Sequence, residues 1–103
     1  MSRPRLPSRL RTMSNVEAAY VGAMIDGEGY FDAHIYKVQV ANNSLEIMSA
    51  LIRATGIAGI CMKSDTTLIR HRSWTWYIGR AADVIALATA IVPYSFKAQN
   101  FLQ

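Results

Sequence analysis

The chain has 103 residues, 51% apolar and 17% charged, which fits one globular domain and excludes both a two-domain protein and a disordered one. It has no apolar run of membrane-spanning length, and its single cysteine, Cys61, excludes an internal disulfide framework and suggests an intracellular protein, cytoplasmic or organellar. The net charge of +4 is local: Arg3, Arg5, Arg9 and Arg11 precede seven basic residues matched by seven acids, so charge alone does not mark the domain as a nucleic-acid binder.

Residues 1–14 combine Pro4, Pro7 and three serines with the arginines and show no apolar period. They are expected to form a disordered basic tail. A phosphate-contacting arm, an acid-free organellar presequence and a solvated leader all fit it, and Met13 is a candidate second start. The single domain is expected over 15–103.

Asn15 is a suitable N-cap for a helix to about Gly27, with Glu17 favourable in its first turn. Gly22 and Ala23 lack bulk on an otherwise apolar helix, so two copies could approach backbone to backbone. Val21, Gly22, Ala23, Ile25 and Asp26 are therefore the candidate dimer contacts. Asp26 is also suited to satisfying backbone groups around the helix ends. Gly29 is free to adopt positive φ and stop the helix, which fixes Glu28 at its end. One carboxylate is a poor site for a divalent cation, whereas two brought together by a close helix pair make a good one.

From Phe31 to Asn43 the chain alternates, with Tyr36, Val38 and Val40 against Lys37, Gln39 and Ala41, and a tight reversal near 33–36. Ser44 caps a second helix with a Leu45, Met48, Leu51, Ile52 stripe, and Gly56 ends it. Strands are expected at 57–63 and 68–78 across a turn at 64–67, with Cys61 as a packing residue. A helix at about 81–91, stopped by Pro93, and a short amphipathic turn complete the chain. The order helix-strand-strand-helix-strand-strand-helix predicts a mixed α/β (α+β) domain, a four-stranded antiparallel-type sheet with helices on one face.

The other sheet face is left open. Trp74, Trp76 and Ile78 share the core parity, while His71, Ser73, Thr75 and Tyr77 share the opposite one with Lys37, Gln39, Cys61 and Lys63. Such groups contact phosphates and read base edges, or form an ordinary solvated surface. Arg70 and Arg72 have tryptophan parity but lie near the strand end, where they can bend to phosphates or stack on Trp74. Two histidines and one cysteine are too few for a zinc site.

Tyr20 to Phe31 resembles the motif of the LAGLIDADG homing endonucleases: apolar residues, two small ones, two apolar ones, then Asp26-Gly27-Glu28-Gly29. The resemblance covers about residues 16–103. It extends to Val38 through Glu46, to Trp74 through Ile78, and to Pro93-Tyr94 with Lys97-Ala98-Gln99. It implies a homodimer paired through the first helix, with Glu28 of each copy at the axis. Glu28 and Gly27 are the implied ligands of Mg²⁺ or another divalent cation. Asn42 is the implied polar support of the cleavage centre, and Lys97 the basic residue that stabilises charge there. The implied substrate is a long, near-palindromic double-stranded DNA, read through the open face by Lys37, Gln39, Lys63, Arg70, His71, Arg72, Ser73, Thr75 and Tyr77. The connection from Phe31 to Tyr36 is shorter than the family's first hairpin, which shrinks that reading surface. A non-cleaving DNA- or RNA-binding module on the same scaffold is the alternative, and a metal-independent dimerisation domain a third.

Overall fold

The computed structural model describes residues 7–64 and 72–103. The elements run α1 (Asn15–Glu28), β1 (Gly29–Asp32), β2 (Lys37–Asn42), α2 (Leu45–Thr55), β3 (Ile60–Ser64), β4 (Arg72–Ile78) and α3 (Ala81–Ile91). A 3-10 turn at Val92–Tyr94 leads into α4 (Phe96–Leu102). The sheet is antiparallel in the order β1-β2-β4-β3. This is the expected α+β architecture. Val38, Val40, Trp76 and Ile78 point to the helix-covered face and are inaccessible, packed with Val21 and Ile25 of α1, Met48 and Leu51 of α2, and Val84 and Leu87 of α3. The buried Trp76 indole donates to the Ile57 carbonyl (2.9 Å), so its polar edge costs nothing in the core. Among the described residues no helix is long and apolar enough to cross a membrane.

Local chemistry sets the ends of α1. Ser14, not Asn15, is the N-cap: its hydroxyl accepts from the Glu17 N–H (3.1 Å) while the Glu17 carboxylate accepts from the Ser14 N–H (2.9 Å). At the other end Glu28 is the last helical residue, and Gly29 is extended (φ −131°), not left-handed. The glycine is needed for space. A Cβ there would run into the Gln39 carbonyl oxygen and lie 2.8 Å from Val40 Cγ2. The left-handed glycine is Gly56 (φ 74°), which ends α2 as its sequence suggests.

Several expectations are corrected. Leu45 is half exposed, and α2 instead buries Met48, Leu51, Ala54 and Thr55. Tyr36 is not a core residue: it sits in the β1–β2 turn at φ 50°, its ring edge-on to Phe101, which stacks on Phe31. β3 starts at Ile60, because Ile57 dives into the core and Gly59 first accepts from the Tyr77 N–H (2.7 Å). Cys61 is exposed, not packed, since its β3 position opposite Thr75 faces away from the helices. The expected turn at 64–67 and the start of the last strand at 68 lie outside the described residues.

The tail is not free from residue 8 onward. Leu10 and Met13 pack on the core. Asp83, in the first turn of α3, is fully buried and accepts from the Ser8 hydroxyl (2.9 Å), the Arg9 N–H (2.6 Å) and the Arg9 guanidinium (2.9 and 2.8 Å). Burial pushes this carboxyl up, but the Arg9 N–H, the Arg9 guanidinium and the Ser8 hydroxyl outweigh it and hold it below its ordinary value. Arg11 donates to Glu17 (2.7 Å) and to the Arg53 carbonyl (3.0 Å), and its own N–H to the Thr55 carbonyl (3.0 Å), closing the end of α2. Segment 8–13 is thus a strap across three helices. Arg9 and Arg11 are engaged within it, not presented as a phosphate-contacting arm.

Candidate functional site

Two side chains far away in sequence reach the junction of α1 and β1: Asn42 contacts the Glu28 carboxylate, and Lys97 contacts the carbonyl of the next residue, Gly29. The register pairs Gly29 with Val40, so Asn42, two residues further along β2, lies beside the end of α1. Asn42 Oδ1 accepts from the Ser44 N–H (2.8 Å), which leaves the Nδ2 amide to donate to the Glu28 carboxylate. Glu28 is exposed, as a residue meeting solvent-borne partners must be. From the other side Lys97 of α4 donates its ammonium to the Gly29 carbonyl (2.7 Å). Gly27 is exposed, and a Cβ built on it would meet nothing within 4 Å.

Asp26 faces a different partner. Its carboxylate accepts from the Ser95 hydroxyl (2.7 Å), the Phe96 N–H (3.1 Å) and the Lys97 N–H (3.2 Å), joining the end of α1 to the start of α4. This is the role in satisfying backbone groups expected of it. It is not a free dimer contact.

The other candidate dimer residues divide sharply. Val21 and Ile25 are fully buried in their own subunit, and Gly22 packs on Tyr94, whose carbonyl oxygen and Cβ would lie 3.1 and 3.2 Å from an added Cβ. The smallness of Gly22 serves this internal contact. Only Ala23 of the five is exposed. With Val16, Tyr20 and Gly27 it forms an outward stripe at i, i+4, i+7 and i+11; Val16 is 79% exposed and Tyr20 37%. Val16 and Tyr20 were missed. Their signal was available, because a helix apolar on every side leaves an apolar face outside once the other side is packed.

On the open sheet face, register sets Tyr30, Gln39 and Tyr77 in one row and Ala41, Thr75 and Cys61 in the next. The Lys37 ammonium lies 5.6 Å from the Tyr77 ring centroid. Ser73 continues along β4 opposite Lys63, and Arg72 pairs with Ser64; Arg70 and His71 lie outside the described residues. Tyr30 and Asp32 also belong to this face, Asp32 paired with Lys37. Both escape a reading that starts the strand at Phe31. No group of three or more His, Cys, Asp or Glu residues able to hold a metal occurs among the described residues. One chain therefore offers the Glu28 carboxylate and a helix-end carbonyl, too few oxygens for a hard divalent cation unless a second copy adds its own.

Comparison of the chain with protein-family models, with curated proteins and with solved structures gives no match.

Proposed function

We propose that this protein is a metal-dependent DNA endonuclease acting as a homodimer on a long, near-palindromic duplex site. The observation that supports the reading is that Asn42 and Lys97 engage neighbouring residues at the end of α1, Asn42 the Glu28 carboxylate and Lys97 the Gly29 carbonyl. Asn42 holds one side of the Glu28 carboxylate and so orients the other oxygen outward. Paired about a twofold axis, two Glu28 carboxylates and two Gly27 carbonyls form an oxygen donor set that fits Mg²⁺. A cation bound there supplies neutralisation of phosphate charge and a more acidic attacking water. Lys97 spends one N–H on Gly29 and retains two for a phosphate oxygen. Each copy serves one strand, giving one phosphodiester hydrolysis per strand.

The direct test is incubation with a randomised-site duplex library and Mg²⁺, followed by sequencing of new ends. Paired cuts within a near-palindrome are expected. Recovery of bound but uncut DNA would instead favour the non-cleaving module.

Two variants probe the partners. Ala23→Leu is expected to leave the subunit folded, because Ala23 is exposed, yet to weaken self-association at least about tenfold by overpacking the outward stripe. Sedimentation velocity reads this, and unchanged association would place the interface elsewhere. Lys37→Ala is expected to weaken binding to all DNA sequences and reduce the salt slope by about one phosphate contact. An unaltered salt dependence would remove Lys37 from the interface.

A further inference from the structure

We infer that Asp26 is a positioning residue for this centre, acting through Lys97. The inference rests on the nuclease reading only where it gives Lys97 a phosphate to face. A carboxylate in the last turn of a helix opposes the negative end of that helix's own dipole, so Asp26 gains little from α1. Its compensation lies in α4, whose first N–H groups have no intrahelical acceptor. Phe96 and Lys97 donate their N–H groups to it, and Ser95 donates a buried hydroxyl whose oxygen accepts in turn from the Ala98 N–H (3.0 Å).

Lys97 is consequently tied at both ends to one short stretch of chain. Its N–H is held by Asp26 and its ammonium by the Gly29 carbonyl, and Glu28 lies between these two anchors. No acid pairs with Lys97 among the described residues, so its charge is placed by backbone geometry and not by a salt bridge. Loosening the start of α4 would free the ammonium from the Gly29 carbonyl, one residue beyond Glu28, while leaving α1, the sheet and Asn42 where they are.

The test needs neither DNA nor metal. The chain has three lysines, Lys37, Lys63 and Lys97, and limiting acetic anhydride followed by mass spectrometry reports the reactivity of each. In the wild-type chain Lys97 should react more slowly than Lys37. Asp26→Ala should raise Lys97 acylation relative to Lys37 about fivefold, the equivalent of one hydrogen bond of ordinary net strength. Asp26→Asn keeps a carbonyl acceptor and should give a smaller rise of about twofold; it also serves if the alanine variant does not fold. A residue that merely caps α4 would lower stability and leave Lys97 acylation in the folded protein unchanged, and that result overturns the inference. On a site the wild type cuts, Asp26→Ala should lower kcat with little change in DNA affinity; unchanged kcat with raised acylation also overturns the positioning role. If the wild type cuts no DNA, the nuclease reading fails, while the acylation result still decides whether Asp26 places Lys97.

Discussion

Glu28→Gln is expected to abolish cutting while DNA affinity stays equal or tightens. The amide keeps the shape of the side chain and can still accept the hydrogen bond from Asn42. It removes the charge that would hold a hard cation. Both copies lose it at once, so the cleavage rate should fall on the order of a thousandfold or more, in line with the loss of a transition-state electrostatic contact. Affinity is spared because two negative charges beside the phosphates disappear. Glu46→Gln is the control, an exposed carboxylate in the first turn of α2 whose hydrogen bond from the Ser44 hydroxyl (3.1 Å) the amide oxygen can still accept. Glu17 would be a poor one, since it both completes the α1 cap and pairs with Arg11. Nicking and double-strand cutting would be followed with Mg²⁺, with Ca²⁺ and without metal. Full activity of the Gln variant in Mg²⁺ would exclude Glu28 as the metal-holding carboxylate.

Deleting residues 1–12 is expected to destabilise the fold by about 3 kcal/mol, since it removes the hydrogen bonds of Ser8 and Arg9 to a carboxylate and the packing of Leu10 on the core. For a domain of this size that is a large part of the whole stability. Asp83 would lose Ser8 and Arg9, keep the Arg80 guanidinium 3.8 Å away, and open to water where the strap had covered it. The pH dependence has a definite sign. A carboxyl held below its ordinary value of 3.8 contributes stability that is complete above that pH and fades as pH falls through the lower folded value. The advantage of the full chain should hold from neutrality down to about pH 4 and shrink below it. Urea unfolding of the chains across this range measures it; equal stabilities at neutral pH would show that the strap adds nothing.

The elements with local punctuation were legible in the sequence. Ser44 and Gly56 bracket α2, Pro93 follows α3, and alternation in β2 and β4 assigned Val38, Val40, Trp76 and Ile78 to the core. Glu28, Asn42 and Lys97 were legible only through the motif resemblance, because nothing in their spacing announces that they meet. Three features were hidden for separate reasons. An all-round apolar helix cannot say which face packs inward, so Val21, Gly22 and Ile25, expected as dimer contacts, lie on the packed side of α1. A glycine after a helix reads as a stop, which hid the start of β1 at Gly29 and with it Tyr30 and Asp32. The strap has no periodicity, and its acceptor lies 74 and 75 residues away, beyond the reach of any local pattern.

That separation sets an order of events during synthesis. Ser8 and Arg9 are made before the sheet, and Asp83 only after all four of its strands. The strap must wait for α3, so this long-range contact closes late. Until then Arg9 stays exposed and unpaired with its acid. A chain interrupted before α3 never gains the seat for it. Closure of the strap thus reports that α3 is in place, and a chain arrested before it carries an open basic segment by which it can be told apart.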